Sequence, residues 1–396
     1  MDRLQQSTEN GLGLNLYVDG RFGSFSTNRL DKKELETLIT NGIESTRYLA
    51  VDESRMLADP ARYYKGGKPD LQLFDKKLYE VNPDDKVAIA RAAAEEGLGK
   101  DERIISVDSS YSDGEGSSYR LISNGFEGES KSTWFSVSAS VSIKGEGEAR
   151  PQDYWYDSAL FYDKLTKTGI GAKALERVLR KLGQKKAKSG KYTMVVDPMN
   201  VGNLLSPMLS ALYGSALQQK NSFLMDKLDT KVASDLFTLR DEPHAIGANG
   251  SRYFDNEGVA TEPRTVFDKG VLKTYFIDTY NGKKMDIAPT ISAPSRLILT
   301  PGDKDLNGLV ADIKQGILVT GFNGGNSNSS TGDFSYGIEG FLIEDGKLTQ
   351  PVNEMNVTGN MVTLWNSLVA VGNDPQPNRS WQIPSLVFEG VDFSGL

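Results

Sequence analysis

Residues 321–346 read GFNGGNSNSSTGDFSYGIEGFLIEDG, a stretch with seven glycines, a Ser/Asn run and an apolar Phe341-Leu342-Ile343 segment. Glycine loses more backbone entropy on folding than other residues, so many glycines are retained where the backbone bends sharply or approaches a neighbour closely. A long loop without regular structure is either functional or disordered. Because well-patterned strands follow at once, we predict that this stretch is a functional loop.

The composition excludes several classes of protein. The 396 residues suffice for two or three domains, and the net charge of −8 argues against general affinity for nucleic acid. The chain has no cysteine, which excludes disulfides, thiol catalysis and cysteine-ligated metals. The polar start MDRLQQSTEN does not resemble a signal peptide, and no apolar run reaches the length of a membrane span. We therefore expect a cytoplasmic protein without a membrane partner.

Hydrophobic patterning predicts an α+β fold in three parts. We expect residues 1–74 to form a partial N-terminal α+β domain, residues 75–190 a central α+β domain and residues 191–396 a large β-rich C-terminal domain. Residues 12–25 are typical of a hairpin that turns at Asp19-Gly20. Residues 135–143, FSVSASVSI, alternate serine with apolar side chains, as a half-buried antiparallel strand does.

Weaker patterns predict the remaining elements. We expect helices at residues 32–49, 83–96, 171–182, 201–219 and 361–369, with a helical region beginning at 157–165. We expect strands at residues 104–107, 117–123, 192–196, 264–267, 271–277, 297–299, 316–320, 341–343, 355–357 and 385–388. In the helix at 201–219, small side chains predict the close approach of another backbone: Ser210, Ala211, Gly214, Ser215 and Ala216.

Residues 173–191 form a basic run without interleaved aromatic residues. One interpretation is a phosphate-binding patch. The other is a solvated helix face followed by a basic loop, and we favour it because such runs usually lie on the surface. The basic residues are Lys173, Arg177, Arg180, Lys181, Lys185, Lys186, Lys188 and Lys191.

Few catalytic arrangements are compatible with one histidine. A Ser-His-Asp triad would need His244, which lies in a loop, and no G-x-S-x-G motif supplies a nucleophile. A zinc site lacks its nitrogen and sulfur ligands. An all-carboxylate Mg²⁺ or Ca²⁺ site stays open, although acids beside glycines are more often turn formers or caps. The candidate carboxylates are Asp255, Glu257, Asp333 and Glu339.

The sequence gives no reason to assign any two carboxylates as the acid and base of a glycoside hydrolase. It also lacks the common nucleotide-binding motifs. The TGIGA segment at residues 168–172 lacks the third glycine and the preceding strand of a dinucleotide loop, so a helix N-terminus is the better interpretation. No G-x-x-x-x-G-K-[ST] sequence occurs, which excludes a Walker NTPase.

Three blocks carry a family resemblance by their order and spacing. The first is NSFL at residues 221–224 with DEP at 241–243, and the second is FDNEGVAT at 254–261 with the hairpin at 268–275. The third is TGDFSYGIEGF at 331–341, then Pro351-Val352, Gly359-Asn360 and VGND at 371–374. Together they resemble the TldD/PmbA family, the modulators of DNA gyrase, from about Gly11 to the C-terminus and most closely over residues 192–396.

Active members of that family are zinc metallopeptidases that carry H-E-x-x-x-H on a helix and a C-terminal cysteine ligand. The equivalent helix here spans residues 204–219, and it reads LSALYG at the position of the motif. Leu209, Ser210 and Gly214 therefore mark a degenerate metal-motif helix, with no metal ligand and no catalytic residue in this chain. The sequence resembles the PmbA (TldE) branch, which lacks the zinc motif.

The resemblance implies a cytoplasmic heterodimer in which a TldD-like subunit holds the zinc and unfolded peptide is the substrate. This chain has no cofactor of its own in that interpretation and is inactive alone. It would supply the wall of a substrate channel, with an extended peptide adding to an edge strand. Candidate channel residues are Asn323, Gly325, Thr331, Gly332, Asp333 and Ser335.

Two other functions stay open. One is a modulator associated with DNA gyrase or nucleic acid, which depends on the basic run alone. The other is a homodimeric peptide-binding protein without a protease partner. Family members usually begin with a further helix and strands before the hairpin at residues 12–25, so we also expect that this chain is truncated or trimmed at its start.

Overall fold

The structure, a computed structural model, describes residues 3–396. Its first part is a two-stranded antiparallel hairpin covered by a helix, as predicted. The turn uses left-handed backbone at Asp19 and Gly20, the conformation that an Asp-Gly turn favours. Asp31 caps the helix, and at Gly23 a Cβ would lie 2.3 Å from Thr46 Oγ1, so glycine allows helix and hairpin to touch. The elements are β1 (Leu12–Val18), β2 (Arg21–Thr27) and α1 (Lys32–Arg47).

A three-stranded antiparallel sheet in the order β3-β4-β5 follows, with two helices on one face. Its elements are α2 (Pro83–Glu95), β3 (Ile104–Ile122), β4 (Phe126–Ile143), β5 (Gln152–Ala159) and α3 (Ile170–Leu179). The predicted alternation in β4 is confirmed, because Phe135, Val137 and the following odd-numbered residues are buried while the serines lie on the other face.

Two predictions in this sheet are wrong. Residues 104–107 and 117–123 belong to one strand, because β4 pairs continuously with β3 and covers its glycines. A Cβ at Gly114 would lie 2.1 Å from the Trp134 ring, so this glycine admits an aromatic side chain and does not end the strand. Asp157 lies in β5, opposite Val137, and not in a helical region. Between β5 and α3 lies one short 3-10 turn, Tyr162–Lys164.

The C-terminal part contains two sheets. In chain order its elements are β6 (Gly190–Val196), α4 (Gly202–Ser210), α5 (Gly214–Gln218), β7 (Leu239–Asp241), β8 (Arg264–Asp268), β9 (Val271–Leu272), α6 (Thr279–Met285), β10 (Leu297–Leu299), α7 (Leu306–Ala311), β11 (Gln315–Ser327), β12 (Asp333–Glu344), β13 (Lys347–Asn360), α8 (Met361–Asn366), β14 (Leu368–Val371), β15 (Trp381–Gln382) and β16 (Leu386–Ser394).

The larger sheet has the order β13-β12-β11-β6-β16-β14, and β13 also pairs with β16, so its first five strands close on themselves. The smaller sheet has the order β15-β10-β7-β8-β9. One large core joins both sheets to α4 and α8 and contains Leu204, Phe237 and Trp365. This mixture of helices and largely antiparallel sheets, with strands dominating the C-terminal part, confirms the predicted α+β class.

The glycine-rich stretch is mostly a hairpin, so the prediction of a loop without regular structure is wrong. Residues 321–327 and 333–344 lie in β11 and β12, and only residues 328–332 form the turn. Several glycines permit close contact between these strands. A Cβ at Gly340 would lie 1.8 Å from Leu318 O, and one at Gly337 would lie 2.4 Å from Asn323 O.

Three other predicted elements are shorter than expected. The helix at 201–219 breaks into α4 and α5, because Tyr213 adopts an extended conformation and forms a β-bridge with Phe276. The helix at 361–369 ends at Asn366, since Leu368 already pairs with Phe388 of β16. The strand predicted at 271–277 reduces to the two residues of β9. Over residues 3–396, no helix is long and apolar enough to cross a bilayer.

Candidate functional site

The β11–β12 hairpin contains two of the predicted channel residues at an irregularity in its pairing. Register is lost between Phe322 and Gly325, where Gly324 and Gly325 both adopt positive φ. A Cβ at Gly325 would lie 2.1 Å from Ser335 O. This bulge therefore requires glycine at position 325, and it leaves the Asn323 side chain exposed.

One edge of this hairpin is free. On that side β11 pairs with β6, but only along residues Gly316 to Val319 of β11. The strand β6 ends opposite Val319, at Val196. In the part of the chain that the structure describes, residues 321–327 pair with β12 alone. An unpaired strand edge presents main-chain N–H and C=O groups that an extended peptide can pair with. The bulge interrupts this edge and limits how long an added strand can be.

The turn of the hairpin is a tight hydrogen-bonded structure. Asn328 donates from its N–H to Asp333 O over 2.7 Å, and the N–H of Gly332 donates to Asn328 O over 2.8 Å. The Asp333 carboxylate accepts from Thr331 Oγ1 and Asn360 Nδ2, at 2.7 and 2.9 Å. The hydrogen bond from Asn360 and, to a smaller extent, the one from Thr331 lower the pKa of Asp333. These residues stabilise the turn and use the carboxylate as an acceptor.

The turn packs on the segment that follows α5. Phe223 donates from its N–H to Ser329 O over 3.0 Å, and Asn221 Oδ1 accepts from Ser329 Oγ at 2.7 Å. At Gly332, a Cβ would lie 3.1 Å from the Phe223 ring. The structure thus brings the glycine hairpin and the end of the degenerate motif helix together, which connects the first and third blocks of the sequence.

The three positions of the degenerate motif do not converge. Leu209 is 2% exposed and lies in the main core, whereas Ser210 is exposed to solvent. Gly214 begins α5 beyond the break, and its N–H donates to Phe276 O over 2.8 Å. A Cβ at Gly214 would lie 2.8 Å from Asn281 Cβ, so α6 occupies the space in which a larger side chain would stand.

These residues do not fit a zinc ion. Leu209 and Gly214 have no donor atom, and zinc in proteins is held by nitrogen, sulfur and carboxylate ligands. Among residues 3–396, no group of three or more histidine, aspartate or glutamate side chains is placed to hold a metal ion. The positions of the degenerate motif therefore offer no ligand set for a metal that activates water.

Asp255, one of the candidate carboxylates, and the single histidine, His244, have structural partners in neighbouring loops. Asp255 is buried and accepts from the N–H groups of Glu257, Val259 and Ser292, as a turn former does. His244 Nε2 lies 3.0 Å from Thr261 Oγ1, and the imidazole ring packs against the ring of Tyr253. Burial lowers the pKa of His244. These residues stabilise the loops of the second sequence block.

The basic run contains one feature that the sequence did not reveal. Lys181 is buried, and its Nζ lies 2.7 Å from Glu339 Oε1 of β12 and 3.2 Å from Asp153 Oδ2 of β5. Arg177 pairs with the other Asp153 oxygen at 3.2 Å. The interpretation of the run as a solvated face is therefore wrong for these two residues. Their partners lie far away in sequence, so no local pattern indicated that these two cations are paired.

Comparison with known proteins places these features in a family. Residues 189–395 match the model described as the PmbA/TldA metallopeptidase C-terminal domain, and residues 76–182 match the corresponding central domain. The Metalloprotease PmbA homolog of Haemophilus influenzae is 28% identical over all of this chain and 88% of its own length. Metalloprotease PmbA of Escherichia coli O157:H7 is 26% identical with the same coverage.

Two solved structures are also similar. A Bacteroides thetaiotaomicron protein described as a proposed modulator of DNA gyrase is 73% identical, with a TM-score of 0.99 over 100% of this chain and 91% of its own. TldE from Thermococcus kodakarensis shares the fold with a TM-score of 0.81, at 21% identity over 95% of this chain and 88% of its own. With family models that match both its central and C-terminal parts, this chain belongs to the PmbA/TldD metallopeptidase family.

Proposed function

We propose that this chain is the non-catalytic subunit of a cytoplasmic zinc metalloprotease that acts on unfolded peptides. The observation that carries the proposal is the packing at the motif positions. Leu209 belongs to the core, and Gly214 lies against Asn281 where a metal ligand would need space. Zinc-dependent hydrolysis requires a metal that activates water, so a partner subunit of the TldD type would supply that metal.

The contribution of this chain would be to hold the substrate. The free edge at residues 321–327 offers main-chain donors and acceptors to an extended peptide. Main-chain pairing does not depend on side chains, so it suits a protease that acts on many unfolded sequences. The fixed turn at residues 328–332, packed on Phe223, would keep this edge in position.

Reconstitution tests the proposal. The purified chain is combined with a zinc-bearing TldD-type subunit, and cleavage of an unfolded casein-derived peptide is followed with and without a chelator. We expect the chain alone to be inactive and the mixture to cleave in a chelator-sensitive way as a complex of defined size. Chelator-insensitive hydrolysis by the chain alone would refute the proposal, and failure to form the complex would favour the homodimeric alternative.

Binding to nucleic acid gains no support from the basic run. Most of its side chains have carboxylate partners, including Lys173 with Glu176, Lys186 with Glu354 and Lys191 with Asp392. A patch that binds phosphate needs cationic groups that are free to replace counterions. We therefore expect no duplex binding by this chain in a titration at low salt, where such binding is strongest.

A further inference from the structure

A polar cavity beside α5 has no role in the proposed contact with an extended peptide. Its volume is 460 Å³, which is within the range of about 300–1,000 Å³ that is typical of small-molecule sites. The N-terminal hairpin and the segment after α1 form one wall, and α5 and α6 form the other. The residues that matter for the argument are Tyr17, Arg55, Glu257, Asp278, Tyr280 and Asn281.

Arg55 is a preorganised cation in this cavity. Its guanidinium carbon lies 3.7 Å from the centroid of the Tyr280 ring and 4.7 Å from that of Phe22. No hydrogen-bond acceptor or carboxylate within residues 3–396 engages its side chain. Stacking fixes the plane of a guanidinium and leaves the N–H groups at its edge available for a carboxylate.

The support under Arg55 is itself held in place. Tyr280 donates from its hydroxyl to Asp52 Oδ2 over 2.8 Å, and the other Asp52 oxygen lies 3.2 Å from Lys284 Nζ. The Asp52 carboxylate, three positions before Arg55, is therefore already paired with other groups. This arrangement keeps the guanidinium oriented without neutralising it.

Acidic groups line the same cavity. Glu257 Oε2 accepts from the Thr279 N–H and hydroxyl, each at 3.0 Å, while Oε1 has no hydrogen-bond donor among the described residues. Both oxygens of Asp278, by contrast, accept from Asn281 at 2.7 Å. Burial raises the pKa of Glu257, so a cation that enters the cavity would favour its ionised form.

We propose that this cavity binds a small zwitterion, namely a free amino acid or a dipeptide, through its two charged termini. Arg55 receives the α-carboxylate, and Glu257 Oε1 accepts from the α-ammonium group. The significance of such a site rests on the proposed function, because a protease releases ligands of this kind. The binding itself needs neither the partner subunit nor zinc.

Calorimetric titration of the isolated chain tests the site with alanine, with Ala-Ala, and with the N-acetylated and the amidated form of each. We expect alanine or Ala-Ala to bind and either blocking group to weaken the better ligand by about tenfold or more, since each removes a charge-assisted hydrogen bond. Tighter binding of alanine would identify an amino-acid site, and tighter binding of Ala-Ala would identify a site for peptide termini.

Variants separate the site from the fold. Arg55→Met removes the guanidinium, so we expect loss of binding. Arg55→Lys keeps the positive charge but lacks the two parallel N–H donors of a guanidinium, so we expect weaker binding. Glu257→Gln removes the negative charge that faces the α-ammonium group. In this variant, N-acetylation of the ligand should therefore reduce the affinity by a smaller factor. Arg240→Met, at an exposed arginine paired with Glu242, is the control and should bind as the unmodified chain does.

Two results would overturn the inference. The first is equal binding of the free and blocked forms of the better ligand, and the second is no binding of any ligand up to about 10 mM, a concentration above the usual range of KM values. Thermal unfolding of each variant distinguishes a lost site from a lost fold. Either result would leave the reconstituted protease assay unaffected, so failure of this site and failure of the proposed function can be told apart.

Discussion

Lys181 Nζ lies 2.7 Å from Glu339 Oε1, and this contact joins the end of α3 on the central sheet to the middle of the glycine hairpin. The side chains of Lys181, Asp153 and Glu339 are only 9%, 6% and 16% exposed. A buried charge is tolerated only with partners, so these three groups hold the central and C-terminal parts in one arrangement.

Lys181→Met should therefore destabilise the protein. It leaves Glu339 and part of Asp153 without a cation in a buried setting, which we expect to cost about 3 kcal/mol of unfolding free energy. Urea denaturation measures the change. Lys173→Met removes an exposed pair with Glu176 and should cost less than about 1 kcal/mol. Equal effects of the two substitutions would show that the buried cluster has no special role.

The hairpin bulge allows a matched comparison of neighbouring glycines. Gly324 and Gly325 both have positive φ, but a Cβ at Gly324 meets nothing within 4 Å, whereas one at Gly325 would lie 2.1 Å from Ser335 O. We expect Gly324→Ala to cost about 1 kcal/mol and Gly325→Ala clearly more, because only the second adds a backbone collision. Similar midpoints of chemical unfolding for the two variants would contradict the observed strand contact.

Substitutions at two positions of the degenerate motif should change the free energy of unfolding by different amounts, because Leu209 is a core residue and Ser210 is a surface residue. Leu209→Ala is expected to cost about 2–5 kcal/mol, since it opens a cavity in the main core. Ser210→Ala, on the exposed side of α4, should stay within about 0.5 kcal/mol. The two free energies of unfolding come from the same denaturation experiment. A negligible effect at Leu209 would mean that this position is not a packing site.

Asp197 gives a pH dependence of known sign. It is buried at the end of β6, and burial raises the pKa of its carboxyl above the ordinary value of 3.8, although hydrogen bonds from Asn200 oppose the shift. The folded state therefore binds this proton more tightly than the unfolded state does. The contribution of Asp197 to stability falls as pH rises from about 3.8 through the raised folded-state pKa.

Asp197→Asn removes this titration while the amide oxygen can still accept from Asn200. We expect the free energy of unfolding of the variant, relative to the unmodified chain, to increase across that pH interval and then to level off. Chemical denaturation at a series of pH values checks the direction. A relative stability that declined as pH rose would contradict a raised pKa at Asp197.

Local patterns in the sequence predicted the elements that depend on near neighbours. The Asp19-Gly20 turn and the alternation of residues 135–143 are examples, because a turn residue or a period of two acts within a few positions. The starts of the helices predicted at residues 32 and 83 are also confirmed, because α1 begins at Lys32 and α2 at Pro83. The three sequence blocks identified the family because each has an unusual composition at a fixed spacing.

Features that depend on distant contacts were missed. The break at Tyr213 is caused by its bridge to Phe276, and β3 continues through Gly114 because Trp134 covers it from the next strand. Lys181 is buried only because Asp153 and Glu339 meet it in the folded chain. The cavity around Arg55 combines residues 17–56 with residues 215–281, which are far apart in the chain, so no local pattern could indicate it.

Zinc content is the most direct test of the central claim, which is that this chain holds no catalytic metal. The isolated protein, purified without chelator and dialysed against micromolar zinc, is analysed by plasma mass spectrometry. We predict far less than one zinc per chain, with zinc appearing in equimolar amount only when a TldD-type subunit copurifies. One tightly bound zinc per isolated chain, lost on substitution of this chain's own side chains, would contradict the account.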